Sequence, residues 1–335
     1  MLDERWDEHE AEVLEALGAL LEKECTPAVV RQAEAALDGR DRGLEARLAE
    51  FGLGELPTDP ALLTATAWQL GRALAPVPFV ETAAVRAVLG LADTAYGLEG
   101  PVPASVAAAV VTSPHGAVRV VPVPRPGRRT AAGDLLAVPD HDAPGAATAG
   151  DAAAADRMRR MVRLLDAARL TGAAAGLLAL GVDYATRRQQ FGRPIGTFQA
   201  VAHRLADTAI AVDGATLLTK KAAWVADAAQ GGDGAPSALF ATLARARAVE
   251  SARRVATAVH QVMGGYGFSL EEDCQLFSRR IRSWSMRLAP PGPELADVAR
   301  TLLDPVTRDD VAHLWHHDRG LPLPRWAHEL DGSET

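Results

Sequence analysis

The stretch "RRQQFGRPIGTFQAVAHRLAD" (Arg187–Asp207) reads as a turn between two helices. Gly192-Arg193-Pro194 alone would break a helix. The stretch also carries Arg187, Arg188, Gln189, Gln190, Phe191, Gln199 and His203, more chemistry than a connection needs. Before it, helical periodicity runs from about Ala153 to Arg187 through "LTGAAAGLLALGVDYA". After it, Thr197 is a plausible N-cap, and Phe198, Val201, Leu205, Val212 and Leu218 fall on one face. A third helical pattern starts near Pro236, carries Leu239, Leu243, Val249, Val255, Val259 and Val262, and stops at Gly264-Gly265, a natural left-handed end. A fourth covers roughly Leu270–Leu288, and a short fifth follows Pro293. Long helices with short connections predict an antiparallel bundle over 152–305.

Upstream, residues 1–98 also read as helices. "DEHEAEVLEALGALLEKE" and "DRGLEARLAEFGLGEL" are amphipathic, the second closed by glycine. "DPALLTATAWQLGRAL" opens on an Asp-Pro cap signal, and "PFVETAAVRAVLGLA" follows. Residues 99–151 change period: short β-branched runs, "VAAAVV" and "AVRVVPV", sit among Pro, Gly, Asp and Thr. They predict a small, poorly formed β region plus linker. Residues 306–335 form a tail with an irregular "HLWHHDRGLPLPRW", read as a loose terminus. The fold class is therefore mainly α: an N-terminal helical domain, a reduced middle β segment and a C-terminal antiparallel helical bundle.

Composition narrows the function. Aromatics are 5%, and alanine carries much of the apolar fraction, which suits closely packed helices. A net charge of −8 argues against nucleic acid or an anionic membrane as partner. The main basic patch, "SRRIRSWSMR" (Ser278–Arg287), reads as the solvated face of a helix. Cys25 and Cys274 have no metal-ligand spacing and suit a reducing compartment, so a cytoplasmic location is expected and no metal site. The acidic N-terminus lacks a signal core, and the Ala/Gly-rich run before Arg187 reads as a buried core helix, not a membrane span.

The candidate site residues have a chemistry in common. Arg188 offers a planar, permanently charged fork suited to a diphosphate. Gln190 and Gln199 are neutral donors and acceptors suited to ribityl or adenine edges. Phe191 offers a flat face for a ring. Gly264 and Gly265 let backbone approach a phosphate closely beside Gln261. Each alone has a plainer reading: a helix-end cation, a surface histidine at His203, a helix stop.

Taken together, "RRQQFGRP", "AVHQVMGGYGF" (Ala258–Phe268) and "QLGRALAPVPFVETA" (Gln69–Ala83) resemble the acyl-CoA dehydrogenase family over most of the chain outside 99–150. The resemblance implies that Arg188, Gln190, Phe191, Gln199, Gln261, Gly264 and Gly265 reach across a dimer interface. There they would clamp the adenosine-diphosphate half of an FAD bound mainly by the other subunit. It also implies an acyl-CoA substrate, with electron-transfer flavoprotein as the electron acceptor.

Members of the family remove the α proton of a CoA thioester with a glutamate while a hydride leaves the β carbon for the flavin. The resemblance places that glutamate twelve residues before the Arg of "DVARTLL", Arg300, and Leu288 stands there. Leucine cannot accept a proton, so no catalytic residue is expected in this chain. An alternative base position falls at Val162; Asp156 and Asp166 nearby read as helix-face residues. The family's "R-D" pattern is replaced by Arg279-Arg280, and residues 99–150 contain no tryptophan for the flavin wall. Groups that act across an interface are kept, and groups that act within the subunit are missing. That pattern resembles the short subunit of actinobacterial α2β2 heterotetramers, whose full-length partner carries the base, and implies a steroid side chain or other bulky acyl group. Two other readings stay open: a self-sufficient homodimer with Glu294 or Glu271 as base, and a flavin-free scaffold or enzyme of different chemistry, such as a lyase or cyclase.

Overall fold

The N-terminal helices begin where capping chemistry lets them. The computed structural model describes residues 8–98, 100–113, 116–228, 235–288 and 291–303; the expected tail from 306 lies outside them. α1 spans Glu8–Glu24 and α2 Pro27–Ala35, with proline at its first position, where its missing N–H costs nothing. α3 (Arg42–Glu50) starts at Asp41, whose carboxylate accepts from Leu44 N–H, and α4 (Pro60–Arg72) starts at Asp59, accepting from Leu62 N–H. α5 (Phe79–Leu89) ends on left-handed Gly90.

Seven short strands follow: β1 (Thr94–Tyr96), β2 (Val102–Pro103), β3 (Ala108–Thr112), β4 (Val118–Pro122), β5 (Arg128–Arg129), β6 (Leu135–Ala137) and β7 (Ala147–Gly150). They form a four-stranded sheet, β1-β3-β4-β7, and a three-stranded one, β2-β6-β5. β1 runs parallel to β3; the other pairs are antiparallel, with Val110 opposite Val120. The expectation of a linker here does not hold. Ala95, Val102, Val106, Ala109, Val111 and Val121 close a small core of their own, and the strands continue to Gly150. Small side chains let two narrow sheets bury a core that single-sequence patterning does not mark.

The C-terminal part is helical. α6 runs Ala152–Arg187, capped by Asp151. It is long and apolar enough to cross a membrane by composition, but its middle, from Leu164 to Ala174, is buried on every side by protein. A hairpin of β8 (Gln189–Gln190) and β9 (Arg193–Pro194) leads into α7 (Gln199–Ala228). Thr197 is not the N-cap. Its hydroxyl donates to Pro194 O, and the first turn of α7 closes on the carbonyl of Phe198. α8 (Ala235–Met263) ends where Gly264 takes φ +61, followed by a short 3-10 turn, α9 (Cys274–Arg287) and α10 (Pro291–Leu303). α6 packs between α8 on one side and α4 and α5 on the other, so the bundle and the N-terminal helices share one core.

Candidate functional site

Two places in this fold carry chemistry, one at the hairpin end of the bundle and one buried beneath the sheets. α6 and α8 run parallel, each antiparallel to the α7 between them in sequence, with Asp166 meeting Arg245 and Gly181 facing Val259, so both helices end at the same end of the bundle. There Tyr184 and Tyr266 pack with ring centroids 6.5 Å apart, and the Arg188 guanidinium lies over the Tyr266 ring at 5.5 Å. Arg188 is thereby set beside the turn that holds Gly264 and Gly265. A Cβ added at either glycine would meet no atom within 4 Å, so that backbone faces open space. Gln261 and Gly264 line a groove between α8 and α9 of about 570 Å³.

Gln190 and Phe191 sit on the β8–β9 hairpin and Gln199 at the start of α7, all exposed at this same end. Gln190 donates its side-chain N–H to Gln189 O at 2.7 Å. Phe191 has φ +53, a left-handed conformation that bulky residues rarely adopt, and its ring is 92% exposed, edge-on to Phe198 at 6.1 Å. An apolar ring held outward by a strained turn suits a surface that something else covers. Arg188, Gln261, Gly264 and Gly265 thus gather around one turn, and Gln190, Phe191 and Gln199 lie on the hairpin side of the same end. The donor set fits a nucleotide diphosphate: one guanidinium set over an aromatic ring, neutral amides, and a glycine turn that leaves room for close approach.

The second place is a charge cluster that sequence reading missed. Glu81 on α5 accepts from Arg169 of α6 at 2.9 Å and from Arg287 of α9 at 2.8 Å, both through Oε1. Arg169 also reaches Asp166 at 2.5 Å and lies over the Trp284 ring at 4.6 Å. Arg245 of α8, 0% exposed, donates to the other oxygen of Asp166 at 3.2 Å. Burial alone would raise the Glu81 pKa, but the Arg169 and Arg287 guanidinia outweigh it and hold it at about 2. Burial likewise works to lower the Arg169 pKa, and Glu81 and Asp166 reverse that and raise it.

Asp166 is accordingly not the helix-face residue its spacing suggests, whereas Asp156 is, exposed and paired with Arg159. The basic patch of α9 is a solvated face only in part, at Arg282. Arg280 and Arg287 turn inward, and Arg279 and Arg280 share Glu34 at 2.9 and 2.6 Å. The signal was present in "LLDAARLTG": an Asp and an Arg three residues apart in a wholly apolar run must bury with partners.

Leu288 and Val162 line one cavity of only about 20 Å³, together with Glu81, Asp166, Arg169 and Arg287. A neighbouring cavity of about 70 Å³ touches the same Glu81, Arg169 and Arg287 from the other side. Glu271 lies just before α9, and Leu288 just after it. The helix between has 14 residues, so the two are on the order of 20 Å apart. The side chain of Glu294 lies outside the described residues.

A profile of the acyl-CoA dehydrogenase C-terminal domain matches residues 153–286. The chain is similar to acyl-CoA dehydrogenase IpdE2 of Mycolicibacterium smegmatis, 31% identical over 312 residues, covering 84% of this chain and 94% of the relative. The IpdE2 of Mycobacterium tuberculosis is 30% identical over 317 residues, covering 83% and 92%. Among solved structures, the fold matches a variant of the Tcur3481-Tcur3483 steroid ACAD at a TM-score of 0.78 and 24% identity, over 88% of this chain and 97% of that one. It matches the ChsE4-ChsE5 complex from Mycobacterium tuberculosis at 0.77 and 22% identity, over 90% and 99%.

Proposed function

The chain belongs to the acyl-CoA dehydrogenase family, and from that premise we propose that it is the non-catalytic subunit of a heteromeric, FAD-dependent acyl-CoA dehydrogenase. In this reading it completes the FAD site of a full-length partner that carries the base, in an α2β2 assembly. One observation carries it. Leu288 stands where the resemblance puts the family's base, and Val162 near the alternative position; both line a cavity of about 20 Å³ walled by arginines and carboxylates. A ligand site for a molecule of even modest size needs roughly 300–1,000 Å³. No described carboxylate stands free there to take an α proton, since Glu81 and Asp166 are both held by arginines.

FAD, when bound, supplies the acceptor for the β hydride. The residues of this chain would hold its far end. Arg188 gives charge-assisted bonds to the diphosphate, the Gly264-Gly265 backbone approaches it, and Gln190, Gln199 and Gln261 contact its polar edges. Phe191, held outward, covers part of the cofactor and of the partner. The resemblance in fold to a steroid ACAD and to a two-component complex supports a bulky acyl-CoA, a steroid side chain among the candidates; electron-transfer flavoprotein as acceptor is carried over from the family resemblance.

The test is co-expression with a full-length dehydrogenase subunit and measurement of FAD per protein by absorbance. Arg188→Ala is expected to leave the assembly intact while FAD affinity falls about tenfold to a hundredfold, the loss of one charge-assisted bidentate contact. Arg188→Lys recovers part of it, because an ammonium lacks the planar fork. Unchanged occupancy and affinity in Arg188→Ala would leave Arg188 an ordinary helix-end cation.

A further inference from the structure

The groove between α8 and α9 is larger than the motif that opens onto it. Gln261 and Gly264 line its mouth; Arg253, two turns back along α8, and Arg282 of α9 line its far part. The chain is acidic, with 43 Asp and Glu against 35 Lys and Arg, yet none of the described residues lining this groove is a carboxylate. Arg279, which also borders it, is turned to Glu34 and Gln275. Arg253 and Arg282 are exposed, and among the described residues neither guanidinium has a carboxylate or carbonyl partner. Elsewhere in the fold, arginines that reach inward are met: Arg169 by two carboxylates, Arg280 by Glu34, Arg287 by Glu81. Beside the two free guanidinia, the His260 and Phe268 rings stack at 4.7 Å, and Phe268 is 73% exposed, leaving a flat aromatic surface at the groove's edge. About 570 Å³ lies within the usual range of ligand sites.

We infer that Arg253 and Arg282 are cofactor-positioning residues: a nucleoside diphosphate seated at the Gly264 turn continues into this groove, and the two guanidinia hold its phosphates while the His260–Phe268 pair offers a surface to its base. The inference rests on the half-site reading and deepens it, since neither arginine belongs to the motif that carries the family resemblance. The chemistry is that of paired planar donors facing a dianion in a groove without competing carboxylates. A plain surface cation would be indifferent to which anion is offered; these two are read together with a stacking surface and an open glycine turn.

The groove is formed within the chain alone, so the purified chain and ADP are sufficient to test it. ADP is expected to bind by calorimetry, at least tenfold more tightly than adenosine, with an affinity that falls as salt rises. Arg253→Ala and Arg282→Ala each weaken ADP about tenfold and leave adenosine binding unchanged, which a merely structural role would not do. The lysine variants recover only part of the ADP affinity, because an ammonium lacks the planar fork, and Arg253→Glu with Arg282→Glu abolishes it. Both positions are exposed, so the thermal midpoint is expected to stay within a degree or two of the parent. No ADP binding, equal binding of ADP and adenosine, or alanine variants that bind like the parent would overturn the inference. The FAD content of the co-purified complex separates its failure from that of the half-site reading. If Arg188→Ala lowers occupancy and the Arg253 and Arg282 variants do not, only the groove assignment falls; if none lowers it, the half-site reading falls.

Discussion

Glu81 is a carboxylate in the core whose worth depends on its charge. Its folded pKa is held at about 2 against 4.5 for a free glutamate, so the fold favours the ionised form. The stabilisation is complete above about pH 4.5 and is lost as pH falls toward 2; it amounts to about 3 kcal/mol. Glu81→Gln leaves Arg169 and Arg287 buried without their counter-charge and is expected to cost about 3–5 kcal/mol at pH 7. The gap between parent and variant in urea midpoint should then narrow as pH is lowered from 5 to 3. A gap that stays constant over that range would mean Glu81 acts through shape, not charge. Single residues were also where the sequence was least legible. Arg188, Gln261 and the two glycines stand out because their spacing is local. Asp166 stands out less: its pairing with Arg169 in an apolar run is local, but its second partner, Arg245, comes from α8, and burial by distant elements leaves no mark in a local window.

At the scale of elements, close approach is written into two glycines. α4 and α6 cross where Gly71 faces the Arg169 backbone and Gly172 faces the Trp68 carbonyl; a Cβ at either would lie inside those backbone atoms. Gly172→Ala should gain about 1 kcal/mol of helix propensity and lose more by forcing two backbones apart. A net loss of about 2 kcal/mol in denaturant titration is expected, and a stabilised variant would show that the crossing can open. This crossing also carries Arg169 to Glu81, so the same substitution is expected to perturb the charge cluster. The helices themselves were readable, because 3.6-residue periodicity, Asp caps and glycine stops are signals within ten or so residues. α2 went unread because it has nine residues and opens on a proline that reads first as a break. The two small sheets were read as strand plus linker, since strands of two or three residues have no period to detect.

For the whole molecule, the decisive relation is between the two ends of α9. One end borders the open, cationic groove beside Gly264; the other carries Arg287 and Leu288 into the closed charge cluster. A subunit that lost only its base could be repaired by restoring it. On the half-site reading, this one also lacks room for a thioester, because Glu81, Asp166, Arg169, Arg245 and Arg287 are bonded in series across α5, α6, α8 and α9. Catalysis needs the substrate's α carbon within about 3–3.5 Å of the base, and cavities of about 20 and 70 Å³ admit water-sized molecules only. Leu288→Glu is therefore expected to confer no dehydrogenation, on the chain alone or in its own half of an assembly, because the new carboxylate would join the buried arginines in place of meeting a substrate. The measurement is reduction of an artificial electron acceptor with a panel of short, branched and steroid acyl-CoA thioesters, beside equilibrium dialysis of each thioester against the chain. Turnover by Leu288→Glu, or stoichiometric thioester binding that disappears when Arg169 is replaced, would mean that the cluster opens and that this subunit keeps an acyl site of its own.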